Sequence, residues 1–306
     1  MATRPADVHT GGAALAASGA EGRLRDAFVL LWANKVALLG LVLTILFLLI
    51  GMAGIVILLH PGLHHLWEDQ NLRAVLVTPG SEGHLLGTDN FGRDLLWRIV
   101  AATGLSALMA VGVTAFVIVV GLVMGSVAGF FGGRADTGIT GLIDLTWGFP
   151  LLLVAVIFAG MVGKGLNAVV AAAAVILWAG FARIIRAQVK TLREREFVEA
   201  ARMLGTPAWK ILVRHMWPNV LGTVLVMASY YVAITIIVEA GFSFIGLGVQ
   251  PPTPSLGGII AEGRNFWSVS IWPSVIPGAT IALIVLGLNS LGDGLRDIFD
   301  PRLRRF

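Results

Sequence analysis

Long runs of apolar residues alternate with short polar segments along this chain. The apolar runs cover roughly Val36 to Leu59, Leu105 to Phe130, Leu142 to Met161, Leu166 to Ile185, Val220 to Val238 and Trp272 to Leu291. Each approaches the ~20 residues that a helix needs to cross ~30 Å of hydrocarbon. The pattern therefore predicts an all-α membrane protein with six transmembrane helices. It also divides the remainder: a polar tail over 1–22, an interfacial helix over 23–35 with Trp32 and Lys35 at headgroup level, and a membrane domain over 36–306. Within that domain lie an outer segment over 60–97, a polar segment over 187–218 and an irregular outer loop over 239–270. The tail is rich in Ala, Gly and Thr with no periodic apolar face, so it is expected to be disordered, and it lacks the apolar core of a signal peptide.

The polar stretch Thr191 to Asn219 stands out between two apolar runs, with eight ionic side chains between Arg193 and Arg214. It reads as two short helices and a turn. Arg193 to Leu204 are good helix formers, and Gly205 suits the left-handed position just past a helix end. Thr206 is an expected N-cap and Pro207 an expected first helical residue. Trp209, Leu212, Val213 and Trp217 then fall on one face, Lys210 and Arg214 on another. Pro218 marks an end or a kink. A helical pair with small residues at Ala200 and Ala201 suits docking into a groove of another protein; a plain solvated connection fits the same pattern.

Composition narrows the class. With 57% hydrophobic and 13% charged residues, the chain is too apolar for a soluble globule, in which about a quarter of residues are charged. Seventeen of its 22 Lys and Arg residues fall on the side that holds both termini and the Thr191 segment. By the retention of basic residues in the cytoplasm, that side is inside. The same clustering at membrane edges explains the net charge of +4 through anionic lipid rather than nucleic acid. No cysteine is present, which removes disulfides, zinc thiolates and thiol nucleophiles.

Several polar residues are candidates for function. His60, His64 and His65 have the i, i+4 spacing of a metal pair but lack an obvious completing shell, so a solvated surface is the expectation and no metal site is assigned. Asp89 and Asp94 flank Arg93 between glycines, which suggests a local polar lock. Gly121, Gly125, Gly129 and Gly133 recur every four residues and form an expected helix-packing row. Asp144 and Glu239 are carboxylates in or near apolar runs and so are pathway or gate candidates. Pro150 should bend the third span. Arg183 and Arg186 need no explanation beyond topology. The stretch from Gly241 through Phe244 and Gln250 to Ser255 is too rich in Gly and Pro for a regular span. It reads either as an outer element lining a pathway or as a rigid external loop. The C-terminal residues read as an amphipathic tail with Asp297 or Asp300 paired to nearby arginines.

Four motifs carry a family resemblance. Glu199-Ala200-Ala201, three residues, Gly205 and a proline thirteen residues later at Pro218 resemble the EAA signature of ABC-importer permease subunits. Gly87-Thr88-Asp89, then Gly92-Arg93-Asp94 and Arg98, resemble the dipeptide and oligopeptide permease subfamily, in particular its C-type subunit. Gly104 stands where members commonly carry an arginine. The segment that begins at Gly241 and runs on to Gly257 resembles the hallmark LSFLGLGVQPPTPSWG, with Phe242 and Leu256 as departures. Asn289, Leu291 to Asp297 and Asp300 to Leu303 resemble the ending NLLGDGLRDxLDPR.

The resemblance implies a type I ABC importer permease of the cytoplasmic membrane. Its implied partners are a homologous B-type permease subunit, two ABC ATPases and an extracytoplasmic solute-binding protein. Glu199, Ala200, Ala201, Gly205, Thr206, Pro207 and Pro218 would form the coupling element gripped by the ATPases. The implied cargo is di- or oligopeptide, with nickel or glutathione carried by similar subunits. No cofactor is expected in this chain, ATP and Mg²⁺ belonging to the ATPases. The only Gly-Lys pair, Gly163-Lys164, is followed by Gly165 and preceded at the required spacing by Phe158, which is not a phosphate-binding loop. No hydrolase motif is visible. A self-sufficient secondary transporter or channel using Asp144 and Glu239 as ion sites is the alternative from another class.

Overall fold

The computed structural model describes residues 34–81 and 83–299. The expected tail over 1–22, nearly all of the expected interfacial helix, and the Asp300 to Leu303 end lie outside the described residues.

The described chain consists of helices joined by turns. Besides short helical turns and the four-residue helix His65–Glu68, they are in order α1 (Lys35–Leu59), α2 (Leu95–Phe131), α3 (Gly133–Trp147), α4 (Leu151–Val162), α5 (Leu166–Arg193), α6 (Glu196–Met203), α7 (Ala208–Ile211), α8 (Trp217–Phe244), α9 (Leu256–Gly263) and α10 (Trp272–Phe299). Five of the helical runs are long and apolar enough to cross a membrane, and α3 with α4 makes a sixth when that bent pair counts as one.

The helices pack by small residues. On α1 the buried positions include Ala37, Gly40, Thr44, Gly51 and Gly54, while Leu39, Val42, Leu49, Met52 and Val56 are exposed. Lipid is as apolar as leucine, so large side chains lose nothing by facing it and close backbone approach decides association. The glycine row of α2 lies against α5. A Cβ at Gly121, Gly125 or Gly129 would come within 2.6 Å of Phe181 Cδ1, 2.5 Å of Ala182 O and 2.6 Å of Arg186 O respectively. Gly133 is not in this row. It lies past the helix end with φ +52° and open space around it, because the row ends with α2 at Phe131.

Four boundaries differ from expectation. Helix α2 begins ten residues before Leu105, capped by Asp94 Oδ1, which accepts from Leu96 N at 2.9 Å. Its first turns carry Arg98, which hydrophobicity excludes from a span but which is buried by ion pairing. The third span does not merely bend at Pro150. It breaks at residues 148–150 into α3 and α4, inclined at 83°.

Pro218 does not end its helix. A π turn over Leu212–Met216 links α7 to α8, and this widened turn relieves the clash and the missing donor that proline imposes. The expected irregular loop over 239–270 is irregular over residues 245–255 and again after α9, in a 3-10 turn at Arg264–Phe266 and the turn that follows it. Glu239 to Phe244 complete α8, and α9 follows with Ser255 Oγ accepting from Gly258 N at 3.1 Å.

Two large apolar cores result, beside a small third one of Ile57, Trp67 and Ala101. One joins Val117, Phe181, Ile185 and Val189 with Val198, Ile211 and Met216 at the end bearing the Thr191 segment. The other joins Phe47, Leu95, Ile99, Ile236, Leu256 and Ile284 toward the far end.

Candidate functional site

The Thr191–Asn219 segment is built as a lever fixed at one side and free at the other. Helix α6 buries Val198, fully enclosed, and Ala201, 8% exposed, in the core shared with α5. Arg202 lies 5.1 Å above the Phe130 ring of α2. Gly205 takes φ +72°, a conformation that glycine adopts without the Cβ penalty. Glu199 and Ala200 face outward. On the adjoining turn Met203 and Leu204 are 88% and 84% exposed, and Trp209 is also exposed.

Some details correct the sequence reading. Ala201 gives clearance inside its own bundle, not on the outer surface. The N-cap of α7 is Pro207, with Thr206 one residue outside and no side-chain capping bond. The buried face downstream is Ile211, Leu212 and Met216 rather than Trp209 and Val213, because the π turn rotates the residues after Ile211 off the α-helical register. Trp217 Nε1 donates to Ser126 Oγ at 3.1 Å, tying the start of α8 to α2.

Arg183 and Arg186 have roles beyond topology. Arg186 makes a two-point contact with Asp136 of α3, Nη2 donating to Oδ2 at 2.8 Å and Nε to Oδ1. Arg183 Nη2 donates to Asp144 Oδ1 at 2.6 Å and stacks 4.5 Å above Trp147. Asp144 therefore has a partner on α5 and a side chain exposed on the surface of this chain.

At the far end a four-residue ionic knot joins distant parts of the chain. Asp89 Oδ1 accepts from Phe91 N at 2.8 Å and Arg93 N at 3.0 Å, which fixes the turn. Its Oδ2 accepts from Arg93 Nε at 2.6 Å and from Arg98 Nη1. Glu262 of α9 closes the knot, its Oε2 accepting from Arg93 Nη2 at 2.8 Å and Arg98 Nη1 at 2.9 Å. Asp94 does not join the expected lock with Arg93. It caps α2 and pairs with His84 Nδ1 at 2.7 Å. The sequence reading missed Glu262 and His84 as partners. The one local signal for Glu262 was a lone carboxylate in a stretch of Leu, Ile, Ala and Gly, an environment that demands a partner.

Glu239 is 1% exposed and accepts from Ser243 Oγ at 2.7 Å and Ser106 Oγ at 3.1 Å, bridging α8 to α2. It lies inside the bundle rather than on an open wall. Phe244 is half-buried beneath Arg264, 4.9 Å from its ring. Gln250 donates to Gly248 O at 2.7 Å, bracing its own loop. A small cavity of about 150 Å³ has Arg98, Gln250 and Glu262 among its lining residues. His64 and His65 spend ring nitrogens on Leu58 O and Gly62 O. Asp297 accepts from Asn34 Nδ2 at 3.3 Å rather than from an arginine among the described residues.

Comparisons with known proteins give a family by sequence and a similar fold by structure. The model of binding-protein-dependent transport system inner membrane components matches residues 118–305. The chain is 33% identical over 280 residues, 92% of its length and 90% of the relative's, to a dipeptide transport system permease protein DppC of Alkalihalophilus pseudofirmus. It is 36% identical over 226 residues, 73% of its length and 74% of the relative's, to a glutathione transport system permease protein GsiD of Pectobacterium atrosepticum. Its fold is similar to a chain of the inward-facing MetNI methionine ABC transporter, with TM-score 0.53 and 18% identity, over 67% of this chain and 98% of that one.

Proposed function

We propose that this chain, which belongs to the binding-protein-dependent transport system inner membrane component family, is the C-type permease subunit of an ATP-driven importer of short peptides. It forms half of a translocation path with a homologous B-type permease. Two ATPases bind its cytoplasmic side and supply ATP and Mg²⁺ chemistry; a solute-binding protein delivers cargo to the far end. The chain itself is non-catalytic, and both of its termini are cytoplasmic.

The observation that carries this reading is the lever. Val198 and Ala201 are pinned in the core, while Met203, Leu204 and Trp209 are left exposed on a segment too polar for lipid. Large apolar residues presented together outside the bilayer mark a protein interface. ATP-driven closure of the ATPases pushes α6 and α7, with Glu199 offering its charge to the partner surface and Gly205 making the turn. Motion passes from Val198, Ile211 and Met216 into Ile185 and Val189 of the same core. Packed cores respond by switching arrangement rather than by deforming continuously. The Asp136–Arg186 contact and the Trp217–Ser126 bond keep α3 and α2 in register with that motion.

Peptide cargo is favoured by the length of the match to a dipeptide permease. The match to a glutathione permease supports the tripeptide glutathione as a second cargo of similar chemistry. The test is reconstitution in proteoliposomes. Peptide should accumulate only when this chain, the second permease, both ATPases, the binding protein and ATP are all present. Uphill accumulation by the isolated chain without nucleotide would overturn the reading in favour of a secondary transporter.

A further inference from the structure

A cleft of about 670 Å³ opens between α5, α8 and α10 at the end that bears the lever; of its lining residues only Asn219, the last of the lever segment, belongs to the lever, and none belongs to the ionic knot. Its size lies within the ~300–1,000 Å³ typical of small-ligand sites. Its walls combine amides, hydroxyls and one charge of each sign. Gln188 Nε2 donates to Thr223 Oγ1 at 2.6 Å, which leaves Gln188 Oε1 buried without a donor. This bond ties α5 to α8 on one wall of the cleft.

Helix α10 brings Asn289, Asp293 and Arg296 to the same cleft. Asp293 and Arg296 are exposed, and neither forms an ion pair with the other or with any other described residue. Residues at i and i+3 stand about 5–6 Å apart at Cβ on one helix face. The two ends of an extended dipeptide lie about 7 Å apart. Met227 on the facing wall is flexible and polarisable, so it tolerates side chains of different shape.

We infer that this cleft is a relay site for short zwitterionic peptides on the cytoplasmic side of the path. Arg296 takes the α-carboxylate and Asp293 the α-ammonium. The inference rests on the peptide-import reading and adds to it a place where cargo is held and the groups that select it. A zwitterionic lipid headgroup offers the same pair of charges, so the test separates the two sources.

The chain contains no cysteine, so Thr223→Cys or Asn289→Cys introduces a single thiol. The full complex, with both permeases, both ATPases and the binding protein, is placed in nanodiscs of phosphatidylglycerol and phosphatidylcholine. Thiol modification by a charged methanethiosulfonate is followed by the intact mass of this chain. Dialanine at saturation should slow modification about tenfold, and N-acetyl-dialanine amide, which lacks both charges, should not. Asp293→Asn and Arg296→Gln should each raise the dialanine concentration required by about tenfold or more, as expected for one charge-assisted hydrogen bond.

Absence of protection, equal protection by the capped peptide, or protection produced by phosphatidylethanolamine without peptide each overturns the inference. Stimulation of ATPase activity by dialanine-loaded binding protein distinguishes the two levels. Stimulation without protection sinks the cleft alone, and absence of stimulation sinks the peptide reading with it. Should the charge variants fail to assemble, the contrast between free and capped dialanine in the single-cysteine complexes decides.

Discussion

Gly54 of α1 and Gly104 of α2 lie backbone against backbone: a Cβ built on Gly54 would sit 2.8 Å from Gly104 N and 2.9 Å from Gly104 Cα. This contact explains why position 104 holds no arginine here. Any side chain at either glycine must push the two helices apart, and overpacking of this kind costs about 1–3 kcal/mol or more. Gly104→Leu and Gly104→Arg should lower the thermal stability of the detergent-solubilised complex, whereas Gly112→Leu, which meets open space in the same helix, should not. Equal melting temperatures for all three would show that the helices are not in close contact there.

The turn at Gly205 gives a prediction about coupling. No atom lies within 4 Å of a Cβ placed there, so the constraint is the positive φ rather than space. Asparagine tolerates that conformation and β-branched residues do not. Gly205→Asn should keep most uptake and Gly205→Val should lose most of it. Gly205→Asp, which adds a charge to the interface, should abolish uptake while leaving membrane insertion and binding-protein affinity intact. Uptake by reconstituted vesicles is the measurement, and normal transport by Gly205→Asp would falsify the coupling role.

Within the ionic knot the two carboxylates should differ in importance. Asp89 is 1% exposed and holds two backbone amides in addition to both guanidiniums. Glu262 has a side chain 26% exposed. Removing one partner from a buried charge network costs about 3–5 kcal/mol, and a partly solvated partner costs less. Limited proteolysis between Asn71 and Asp94 should therefore accelerate much more in Asp89→Asn than in Glu262→Gln. The reverse order would mean that the loop is held by something other than this knot.

The ion pairs near the lever separate coupling from ion binding. Asp144–Arg183 is exposed, a setting in which a salt bridge contributes about 0–1 kcal/mol. Asp144→Asn should leave uptake near that of the unaltered complex; a collapse of uptake with unchanged assembly would revive Asp144 as an ion site. Asp136→Arg and Arg186→Asp should each reduce peptide transported per ATP hydrolysed, and the double exchange should restore part of it. A strictly additive double variant would show that the two residues do not act together.

Much of this architecture was legible in sequence because it rests on local physics. Apolar runs of sufficient length declare membrane spans whatever surrounds them. A glycine past a run of helix formers declares a left-handed turn, and the spacing of Glu199, Ala200, Gly205 and Pro218 set the frame of the lever. The glycine row of α2 likewise announced a packing face, though not the helix that fills it. The failures are of another kind. A span that is apolar on every side carries no periodicity to reveal which face packs, so the approach of Gly54 to Gly104 was invisible. Hydrophobicity also placed the start of α2 too late, since Arg98 counts against a span until its partners are known.

What the sequence determined alone was the order of the apolar runs and the place of the polar segment that forms the lever. Those depend on transfer free energies and backbone preferences, which each residue carries with it. Only the tertiary structure decided that Arg98 meets Glu262 across 164 positions, that Asp144 answers to Arg183, and that Ala201 faces its own bundle. Such pairings depend on the axial register of packed helices, a property of the whole assembly that no single segment contains.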